Sequence, residues 1–560
     1  MTEKEEVKGG VKDGWFKDLN RELVTKEVLL GVTIACAQIP ESVAFAFIAN
    51  VKPPVALHAA WMVGLICSLF GGRPGMVNGA TGAFAAIIST FLPEPLEEGG
   101  NGVGVELLFP SVMFAGFLML MFSALDLSRF ILLLPSPVMI GFCNGLGLII
   151  GNSQLHPFEH KEGPVLAWMI VITVVSMVVM EFLPKLPFRI FKVIPSSLVA
   201  IIVAVVIEFA IVRQFIDGTE TIGDVSEFSS ETAKPVPFFD YDLDKLSESG
   251  AVETIARQGL LLALVGSIES LMTSEVVESF VKTPSSGTKT LAAMGVGNIV
   301  SGFFGGMGGN AMIGLSTINV LNGGKTRVAP TVTAMVVMLA VVVAYELLNF
   351  IPVAALAGIM FVVVLHTIKW FSLKMLLAFF LPKSYRKKNH KIPRMEVIVI
   401  FAVTFLAVWR DIAQAVLAGV ALCAVIMAWN SSKTVTVEQT YDADAKVYIV
   451  DGPLFFASAN RFRKMFTPDS DPDSVKVQFQ ASCLMDYTAI ETLHNLSKDY
   501  KALGKTIVFA SLNESSKKIV EKASHLVTTI EYDADDIMEL PSVPNVAAGF
   551  KNDPEGPMPC

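Results

Sequence analysis

The stretch LVGSIESLMTSE, from Leu264 to Glu275, is an apolar helix pattern that carries Glu269 where a lipid-embedded helix is expected to carry leucine. About forty residues after its start comes GGMGGNAMIGLSTIN, from Gly305 to Asn319, a glycine-rich break followed by a short apolar helix. A carboxylate at membrane depth beside a broken helix indicates a substrate or ion site. We therefore expect the rest of the chain to build a membrane bundle around this region.

The overall composition excludes a soluble globular protein. Of 560 residues, 52% are hydrophobic and only 17% are charged, and the mean hydropathy is +0.57. These values are typical of a polytopic membrane protein. The N-terminal segment, residues 1–25, is polar and mixed in charge, without the apolar run of a secretory signal peptide. We expect this segment to be cytoplasmic.

The charged and sulfur-containing residues exclude further classes of protein. The formal net charge is −9, and no basic stripe with interleaved aromatic residues occurs in the sequence, so nucleic-acid binding is not expected. The six cysteines show no CxxC spacing, which argues against a disulfide framework and against a zinc site. The sequence shows no nucleophile–base pair or phosphate-binding loop, so an enzyme is not expected.

Apolar segments long enough to enter a bilayer recur from Lys26 to Trp429. We predict fourteen of them, at 27–48, 56–71, 78–92, 108–126, 135–152, 164–183, 195–213, 254–279, 288–304, 311–321, 328–349, 352–368, 394–409 and 411–429. Segments 3 and 10 are too short or too glycine-rich for a complete crossing. The pattern predicts an all-α polytopic membrane domain over residues 26–430.

Charged residues in the loops predict which side of the membrane each loop faces. Basic loops follow segments 6 and 12, at residues 185–192 and 383–394. Acidic loops follow segments 3 and 7, at residues 93–106 and 217–248. By the positive-inside rule the basic loops are cytoplasmic and the acidic loops are outside. An even number of segments then returns the C-terminus to the cytoplasm.

The composition changes after Asn430, where membrane-length apolar runs end. Short strand patterns then alternate with helix patterns, which predicts a small α/β domain over residues 431–540. The predicted strands are 446–451, 475–480 and 505–511, and the predicted helices are 490–503 and 515–523. The tail, residues 541–560, is rich in Pro, Gly and Asn and is predicted to be disordered.

One pattern of carboxylate, glycine break and half-helix occurs twice. Glu41 follows Pro40 in segment 1, and the glycine-rich entry GGRPGMVNGATGAF begins at Gly71. Glu269 and the break at Gly305 repeat this order seven segments later. Seven is an odd number, so the two copies have opposite orientations in the membrane. Such inverted repeats are typical of secondary transporters, whose sites lie between discontinuous helices at the midplane.

The two half-helix starts predict the sign of the substrate. Thr81 and Gly82 begin the first half-helix, and Ala311, Met312 and Ile313 begin the second. Their N-terminal amides and positive dipole ends face one cavity, and Thr81 adds a hydroxyl donor. Neither start carries Lys or Arg. We therefore expect a small anion that is held by dipoles and released readily.

A cation that drives the anion is the second expectation. Glu269 and Thr273 are four residues apart, so they share one helix face. Their oxygens are suitable ligands for Na⁺, and a buried carboxyl group is equally suited to carry a proton. Glu41 is a further candidate for coupling, and its alternative role is to line an entry path or to cap a kink.

At these residues the chain resembles the sulfate permease family, also called solute carrier family 26. The resemblance covers nearly the whole chain. It rests on IPESVAFAFIANVKPP in segment 1, GGRPGMVNGATGA before half-helix 3, GSIESLMTSEVVES in segment 8, GGMGGNAMIGLSTIN before half-helix 10, and the C-terminal domain.

The resemblance implies a fold and an assembly. The expected fold is a seven-plus-seven inverted repeat, similar to that of nucleobase transporters, with core and gate domains that move like an elevator. A homodimer is implied, through the membrane domain and a cytoplasmic STAS domain that includes MDYTAIETLHNL from Met485. Substrates across the family include sulfate, bicarbonate, chloride and dicarboxylates.

The resemblance also bears on coupling. Sodium-coupled bicarbonate members have Asp at the position of Glu269, and Thr273 and the start of half-helix 10 match their sodium-site region. The longer side chain of Glu269 changes the cavity and favours a proton over sodium. Several animal members have Arg at the start of half-helix 10, and this chain has none, which argues against the exchanger and motor subtypes that depend on it.

We expect a secondary active transporter of bicarbonate or sulfate, symported with Na⁺ or H⁺, in contact with membrane lipid. Two alternatives stay open: an uncoupled anion exchanger or chloride-type channel, and a membrane signalling scaffold that acts through its STAS domain. In that domain, Thr488 resembles a position that kinases phosphorylate in bacterial anti-sigma antagonists. Its alternative role is in an ordinary helix N-cap, with Thr or Asp as the capping residue.

Overall fold

The computed structural model describes residues 21–90, 92, 105–131, 135–159, 161–186, 195–225, 234–237, 250–282, 284–343, 345–380, 394–410, 412–442 and 445–523. The predicted disordered tail, the first twenty residues and most of the loops used to predict orientation lie outside these ranges. The chain divides into two compact units, Met1–Val420 and Ala421–Cys560.

The first unit is helical. Its helices are α1 (Arg21–Ile48), α2 (Pro53–Phe70), α3 (Gly82–Ile88), α4 (Val105–Ala124), α5 (Ser128–Ile131), α6 (Ser136–Ser153), α7 (Gly163–Phe182), α8 (Ser196–Ile207), α9 (Arg213–Phe215), α10 (Ile222–Val225), α11 (Ala251–Val281), α12 (Gly287–Phe303), α13 (Ile313–Leu321), α14 (Val328–Val343), α15 (Tyr345–Leu348), α16 (Val353–Thr367), α17 (Trp370–Phe380), α18 (Arg394–Trp409) and the first half of α19 (Ile412–Ser431), a helix that contains the boundary between the two units. Two short strands, β1 (Asn78–Gly79) and β2 (Asn310–Ala311), precede α3 and α13.

Each predicted apolar segment contains a helix, and α17 and the short helices α5 and α10 lie outside the predicted segments. Eight described helices are long and apolar enough to cross a membrane, or nine if the bent pair α16 and α17 forms one span. The count of fourteen segments therefore stays a prediction. Helix α3 has 7 residues and spans about 10 Å, well short of a hydrocarbon core of about 30 Å.

Burial separates inner helices from outer ones. In α11, 67% of the most apolar window is buried inside the bundle, whereas in Gly163–Lys185 only 22% is buried. Glycines let the inner helices approach closely: a Cβ added at Gly295 of α12 would lie 2.7 Å from the carbonyl oxygen of Gly116 in α4. Helix α11, which carries Glu269, is thus part of the interior of the unit.

The second unit contains a four-stranded sheet in the order β3-β4-β5-β6. The strands are β3 (Thr436–Asp442), β4 (Ala445–Asp451), β5 (Ser474–Ala481) and β6 (Thr506–Ala510), and the helices are α20 (Phe456–Arg463), α21 (Tyr487–Ala502) and α22 (Glu514–Ala523). Strand β3 is antiparallel to β4, and the other pairs are parallel. Strands β4, β5 and β6 and helices α21 and α22 match elements predicted from the sequence, whereas β3 and α20 were not predicted.

Candidate functional site

The two glycine breaks meet in the interior of the helical unit. Strands β1 and β2 pair antiparallel, with Asn78 opposite Ala311 and Gly79 opposite Asn310. All four residues are buried. Backbone polar groups inside a membrane must be satisfied within the protein, and this short ladder pairs the two breaks with each other. The half-helices α3 and α13 therefore begin close together.

Glycine is required where the two backbones cross. A Cβ at Gly309 would lie 2.0 Å from the carbonyl oxygen of Gly79, and Gly308 has a φ of +74°. The side-chain amide of Asn298 in α12 makes two hydrogen bonds with the backbone of Gly309. Its Oδ1 accepts from the Gly309 N–H at 2.9 Å, and its Nδ2 donates to the Gly309 carbonyl at 3.0 Å. The glycine-rich break is thus held in one conformation.

The structure refines where each half-helix begins. Thr81 is the N-cap of α3 in extended conformation, and Gly82 is the first helical residue. Met312 is the N-cap of α13, and Ile313 is the first helical residue. Ala311, which we expected at the helix start, lies instead in β2, where its N–H donates to Ser270 Oγ at 3.3 Å. The N–H groups of the first turns have no intrahelical acceptor.

The start of α3 combines a polar donor with apolar walls. Thr81 Oγ1 is buried and has no hydrogen-bond partner among the described residues. A Cβ at Gly82 would lie 2.4 Å from Ile150 of α6 and 3.1 Å from Phe45 of α1. Glycine at this position therefore lets the start of α3 pack closely against α6 and α1, which any larger side chain would prevent.

Glu269 is held by a neutral partner. Glu269 is buried, with 7% exposure. Its Oε2 accepts a hydrogen bond of 2.6 Å from Asn310 Nδ2 in β2. No ion pair reaches this carboxylate within the described ranges. Thr273 Oγ1 donates to the Glu269 carbonyl at 2.7 Å and lies 3.4 Å from the Ala311 carbonyl. Glu269 and Thr273 are therefore together beside the start of α13.

Glu41 lies in a different place. It lines a cavity of about 660 Å³, whose other walls include Lys26 of α1, Pro184, Ser197 at the start of α8, and Leu315 of α13. No hydrogen bond joins Glu41 to Glu269 in the part of the chain that the structure describes. The structure thus separates the two predicted carboxylates: one belongs to the half-helix site, and the other to a cavity that reaches α13 from one side of the bundle.

The chain is similar to a known family of membrane proteins over most of its length. The model of the sulfate permease family matches residues 24–162 and 160–380, and that of the STAS domain matches residues 434–531. The Bacillus subtilis protein named "Putative sulfate transporter YbaR" is 30% identical over 515 residues, which cover 91% of this chain and 98% of that protein. The chain belongs to the sulfate permease family.

Further relatives and solved structures are similar to this chain over most of their length. The bicarbonate transporter BicA of Picosynechococcus is 24% identical over 89% of this chain and 90% of its own. The solved transmembrane domain of a cyanobacterial BicA has a TM-score of 0.57 over 71% of this chain and 98% of that chain. The structure of SLC26A9 has a TM-score of 0.73, with 15% identity, over 93% of this chain and 90% of that chain.

These matches confirm the predicted family and the predicted class of fold, a mostly helical membrane domain followed by a STAS domain with a small sheet. The family consists of transporters, so the expectation that the chain is not an enzyme is also confirmed. The protein is an integral, multi-pass membrane protein. The roles of the individual site residues stay predictions.

In the STAS domain of this permease, the residue that caps α21 is Asp486. Its Oδ1 accepts from the Ala489 N–H at 2.9 Å, and its Oδ2 accepts from the Phe456 N–H at the start of α20 at 2.7 Å. Thr488 is half-buried in the first turn of α21, after the capping residue. The N-cap role therefore belongs to Asp486, and phosphorylation of Thr488 stays a prediction.

Of the three amides that organise the site, only Gln38 was singled out from the sequence, as a weaker candidate than Glu41 for coupling or substrate contact. Asn310 binds Glu269, Asn298 binds Gly309, and Gln38 Nε2 donates to the Asn78 carbonyl of β1 at 3.1 Å. Gln38 and Asn298 are polar residues in long apolar segments, and Asn310 lies in the glycine-rich break, so a local signal was visible for all three. Neutral polar residues are common enough in membrane helices that their partners were needed to assign a role.

Proposed function

We propose that this permease is a secondary active carrier of a small inorganic oxyanion, bicarbonate or sulfate, driven by a cation that binds at Glu269. The observation that carries the proposal is the pairing of β1 with β2, because it brings both half-helix starts and Glu269 to one place. Two sets of N-terminal amides attract an anion, and the nearby carboxylate accepts the driving cation. The printed names of the relatives, sulfate and bicarbonate transporters, support this class of substrate.

We propose a proton as the driving cation in preference to sodium. The Asn310 amide donates to Glu269 Oε2, so a sodium ion at this oxygen would lie against an N–H donor. A proton needs only the carboxylate oxygen that Asn310 does not occupy.

The cavity beside Glu41 supports an inward-open arrangement. Its walls include Lys26 near the predicted cytoplasmic N-terminus and residues that flank the basic loop 185–192. By the positive-inside rule this side is cytoplasmic. In this proposal both termini are cytoplasmic, the protein is a homodimer, and an elevator-like motion of the half-helices exposes the site to the other side.

Uptake into proteoliposomes tests the proposal. Labelled bicarbonate and labelled sulfate are each offered under an inward proton gradient, an inward sodium gradient, or neither. We expect accumulation of one anion with the proton gradient, and loss of that accumulation in Glu269→Gln. The matched control is Glu275→Gln, because Glu275 is exposed on the same helix. Accumulation under the sodium gradient alone would show that sodium, and not a proton, is the driving cation. Passive anion flux that Glu269→Gln leaves unchanged would favour an uncoupled exchanger or channel.

A further inference from the structure

The side-chain oxygen of Gln38 is buried beside the β1–β2 ladder and has no hydrogen-bond partner among the described residues. Gln38 is 1% exposed, and its Nε2 donates to the Asn78 carbonyl at 3.1 Å. This bond determines which end of the amide is the donor, so Oε1 faces elsewhere as an acceptor. Because an unpaired buried acceptor is unfavourable, this oxygen is suited to a hydrogen-bond donor that a ligand carries.

The register of the ladder places Gln38 on the side of Glu269. A Cβ added at Gly79 would lie 2.2 Å from Gln38 Nε2. Asn310 is directly opposite Gly79, and directly opposed residues of a ladder point their side chains to one face. On that face Asn310 Nδ2 donates to Glu269, and Asn310 Oδ1 is a second buried oxygen without a partner in the part of the chain that the structure describes. Gln38 therefore belongs to the half-helix site.

Two buried hydroxyl groups lie between the contacts that α1 makes with the first break. Gln38 meets β1, and a Cβ at Gly82 would lie 3.1 Å from Phe45. Ser42 comes four residues after Gln38 and three before Phe45, so all three share one face of α1. Ser42 Oγ and the hydroxyl of Thr81, the residue before Gly82, are buried and have no hydrogen-bond partner among the described residues. The region thus combines two hydroxyl donors with an amide acceptor.

The cavity beside Glu41 reaches this part of α1. Its lining includes Ala37 and Glu41 of α1 and Leu315 in the first turn of α13. Gln38 lies between Ala37 and Glu41 in the chain, and α13 begins two residues after the end of β2. A small ligand that enters the cavity therefore arrives beside the stretch of α1 that carries Gln38 and Ser42.

The charges around these groups favour a monovalent anion over a divalent one. Glu41 and Glu269 are acidic, and no ion pair reaches either carboxylate within the described ranges. Lys26 lines the same cavity but precedes Glu41 by 15 residues on α1, about 22 Å along the axis. Since the Coulomb energy is proportional to the charge of the anion, a carboxylate repels sulfate about twice as strongly as bicarbonate.

We propose that the site selects an oxyanion that carries its own O–H group, bicarbonate, and that Gln38 Oε1 accepts the hydrogen bond from that group. This inference rests on the anion carrier proposed above and names which of its two candidate anions the site prefers. The hydroxyl groups of Ser42 and Thr81 donate to the other oxygens of bicarbonate. Sulfate has no donor at neutral pH and leaves the buried amide oxygen unpaired. A site built to bind a substrate hydroxyl strongly rejects analogues that lack it.

The test compares Kd for bicarbonate, nitrate and sulfate by calorimetry on the detergent-solubilised full-length protein, at a pH where bicarbonate predominates over CO₂ and carbonate. Nitrate is the matched ligand, because it is planar and monovalent like bicarbonate but has no O–H group. We expect the wild type to bind bicarbonate at least about tenfold more tightly than nitrate or sulfate. In Gln38→Met, a variant of similar size, the preference for bicarbonate over nitrate should fall about tenfold.

Two further variants separate recognition of the O–H group from a structural role. Ser42→Ala should raise Kd for bicarbonate and nitrate equally, because a hydroxyl group donates to either anion. Gln258→Met is the matched control, since Gln258 is a buried glutamine of α11 whose Oε1 also has no partner among the described residues. It precedes Glu269 by 11 residues, about 16 Å along the helix, and should keep the wild-type preference. A purely structural Gln38 would change both Kd values by the same factor.

The outcomes separate this inference from the proposed function. Equal Kd for bicarbonate and nitrate in the wild type overturns the inference, as does an unchanged preference in Gln38→Met. Sodium is also titrated alone, and sodium binding that Gln38→Met abolishes would make the amide oxygen a cation ligand and overturn the inference. Proton-driven accumulation of sulfate in preference to bicarbonate would keep the carrier function and overturn the inference.

A wild type that prefers bicarbonate to nitrate but accumulates neither under any gradient would contradict the carrier function and still support the role of Gln38. If Gln38→Met fails to fold, the wild-type comparison of bicarbonate with nitrate decides.

Discussion

At the scale of single residues, the candidate site combines one carboxylate with several neutral polar groups. The partner of Glu269 is the neutral amide of Asn310 and not a positively charged side chain. Thr81 offers a hydroxyl group with no hydrogen-bond partner among the described residues. Neutral donors bind an anion more weakly than Arg or Lys does, and weak binding allows rapid release. For the proposed carrier we therefore expect weak anion binding and rapid release.

Thr81→Val tests the hydroxyl donor without a change of size. A neutral hydrogen bond contributes about 0.5–1.5 kcal/mol, so we expect KM for the transported anion to rise about three- to tenfold. The maximal rate should change little, because no charge or backbone contact is lost. Uptake kinetics measure both values. The control is Thr90→Val, since Thr90 lies just after α3 and donates to the Ile87 carbonyl at 2.7 Å. An unchanged KM in Thr81→Val would remove Thr81 from the site.

At the scale of elements, the β1–β2 ladder decides whether two half-helices form one site or two. Its register places Gly79 opposite Asn310, and Asn310 is also the residue that binds Glu269. Helices α11 and α12 both bind this region through side chains, Ser270 to Ala311 and Asn298 to Gly309. The half-helices, the ladder and these two helices are therefore coupled as one unit.

Gly309→Ala tests the close crossing of the two breaks. The added methyl group would lie 2.0 Å from the Gly79 carbonyl oxygen, so the backbones must separate. We expect uptake to fall at least tenfold. We also expect a lower Tm, because overpacking lowers the free energy of unfolding by about 1–3 kcal/mol. Gly314→Ala is the matched control, because a Cβ there meets no atom within 4 Å. Wild-type uptake by Gly309→Ala would contradict the importance of the ladder.

At the scale of the whole molecule, the chain divides into two units with separate cores. The STAS unit has its own cluster of buried apolar residues, including Tyr448 and Tyr500. Beside this core, Asp471 accepts hydrogen bonds from Lys446 Nζ at 2.6 Å, from the Tyr448 hydroxyl at 2.7 Å and from the Tyr500 hydroxyl. This buried ion pair predicts a pH dependence that belongs to the STAS unit alone.

Burial raises the pKa of Asp471, but the hydrogen bonds from Lys446, Tyr500 and Tyr448 outweigh it, and the pKa is lowered overall. An unfolded Asp has a pKa of about 3.9, so the stabilisation is complete above about pH 5 and is lost as pH falls through the folded pKa. For Lys446, burial lowers the pKa, but the hydrogen bond to Asp471 raises it overall, so that contribution persists up to about pH 10.

Asp471→Asn should therefore destabilise the STAS unit at neutral pH by about 3–5 kcal/mol, since it leaves a buried Lys446 unpaired. Hydrogen exchange of β4 and β5 in the full-length protein, corrected for intrinsic rates, measures the loss. The wild type should lose protection between about pH 5 and 2, and Asp471→Asn should lose less over that range. Asp473→Asn, at an exposed position, is the control. Equal protection of Asp471→Asn and wild type at pH 7 would contradict the prediction.

The sequence by itself predicted the family, the class of fold and the start of both half-helices at Thr81–Gly82 and Met312–Ile313. These features depend on local properties: the length of apolar runs, the glycines that interrupt them, and a charge such as Glu269 in an apolar helix. The missed elements, β3 and α20, are short and largely polar, so their local pattern was weak. Ala311 was placed in a helix because nothing local distinguishes its strand from the first turn.

Only the tertiary structure decided which distant residues pair. The ladder between β1 and β2, the hydrogen bond from Asn310 to Glu269 and the hydrogen bond from Gln38 to Asn78 each join residues far apart in the chain. An asparagine in an apolar helix shows that a partner is needed, but the partner depends on how the helices pack. For the same reason Glu41 and Glu269, alike in sequence, lie in different surroundings. Their burial and contacts follow from the packed bundle and not from their own segments.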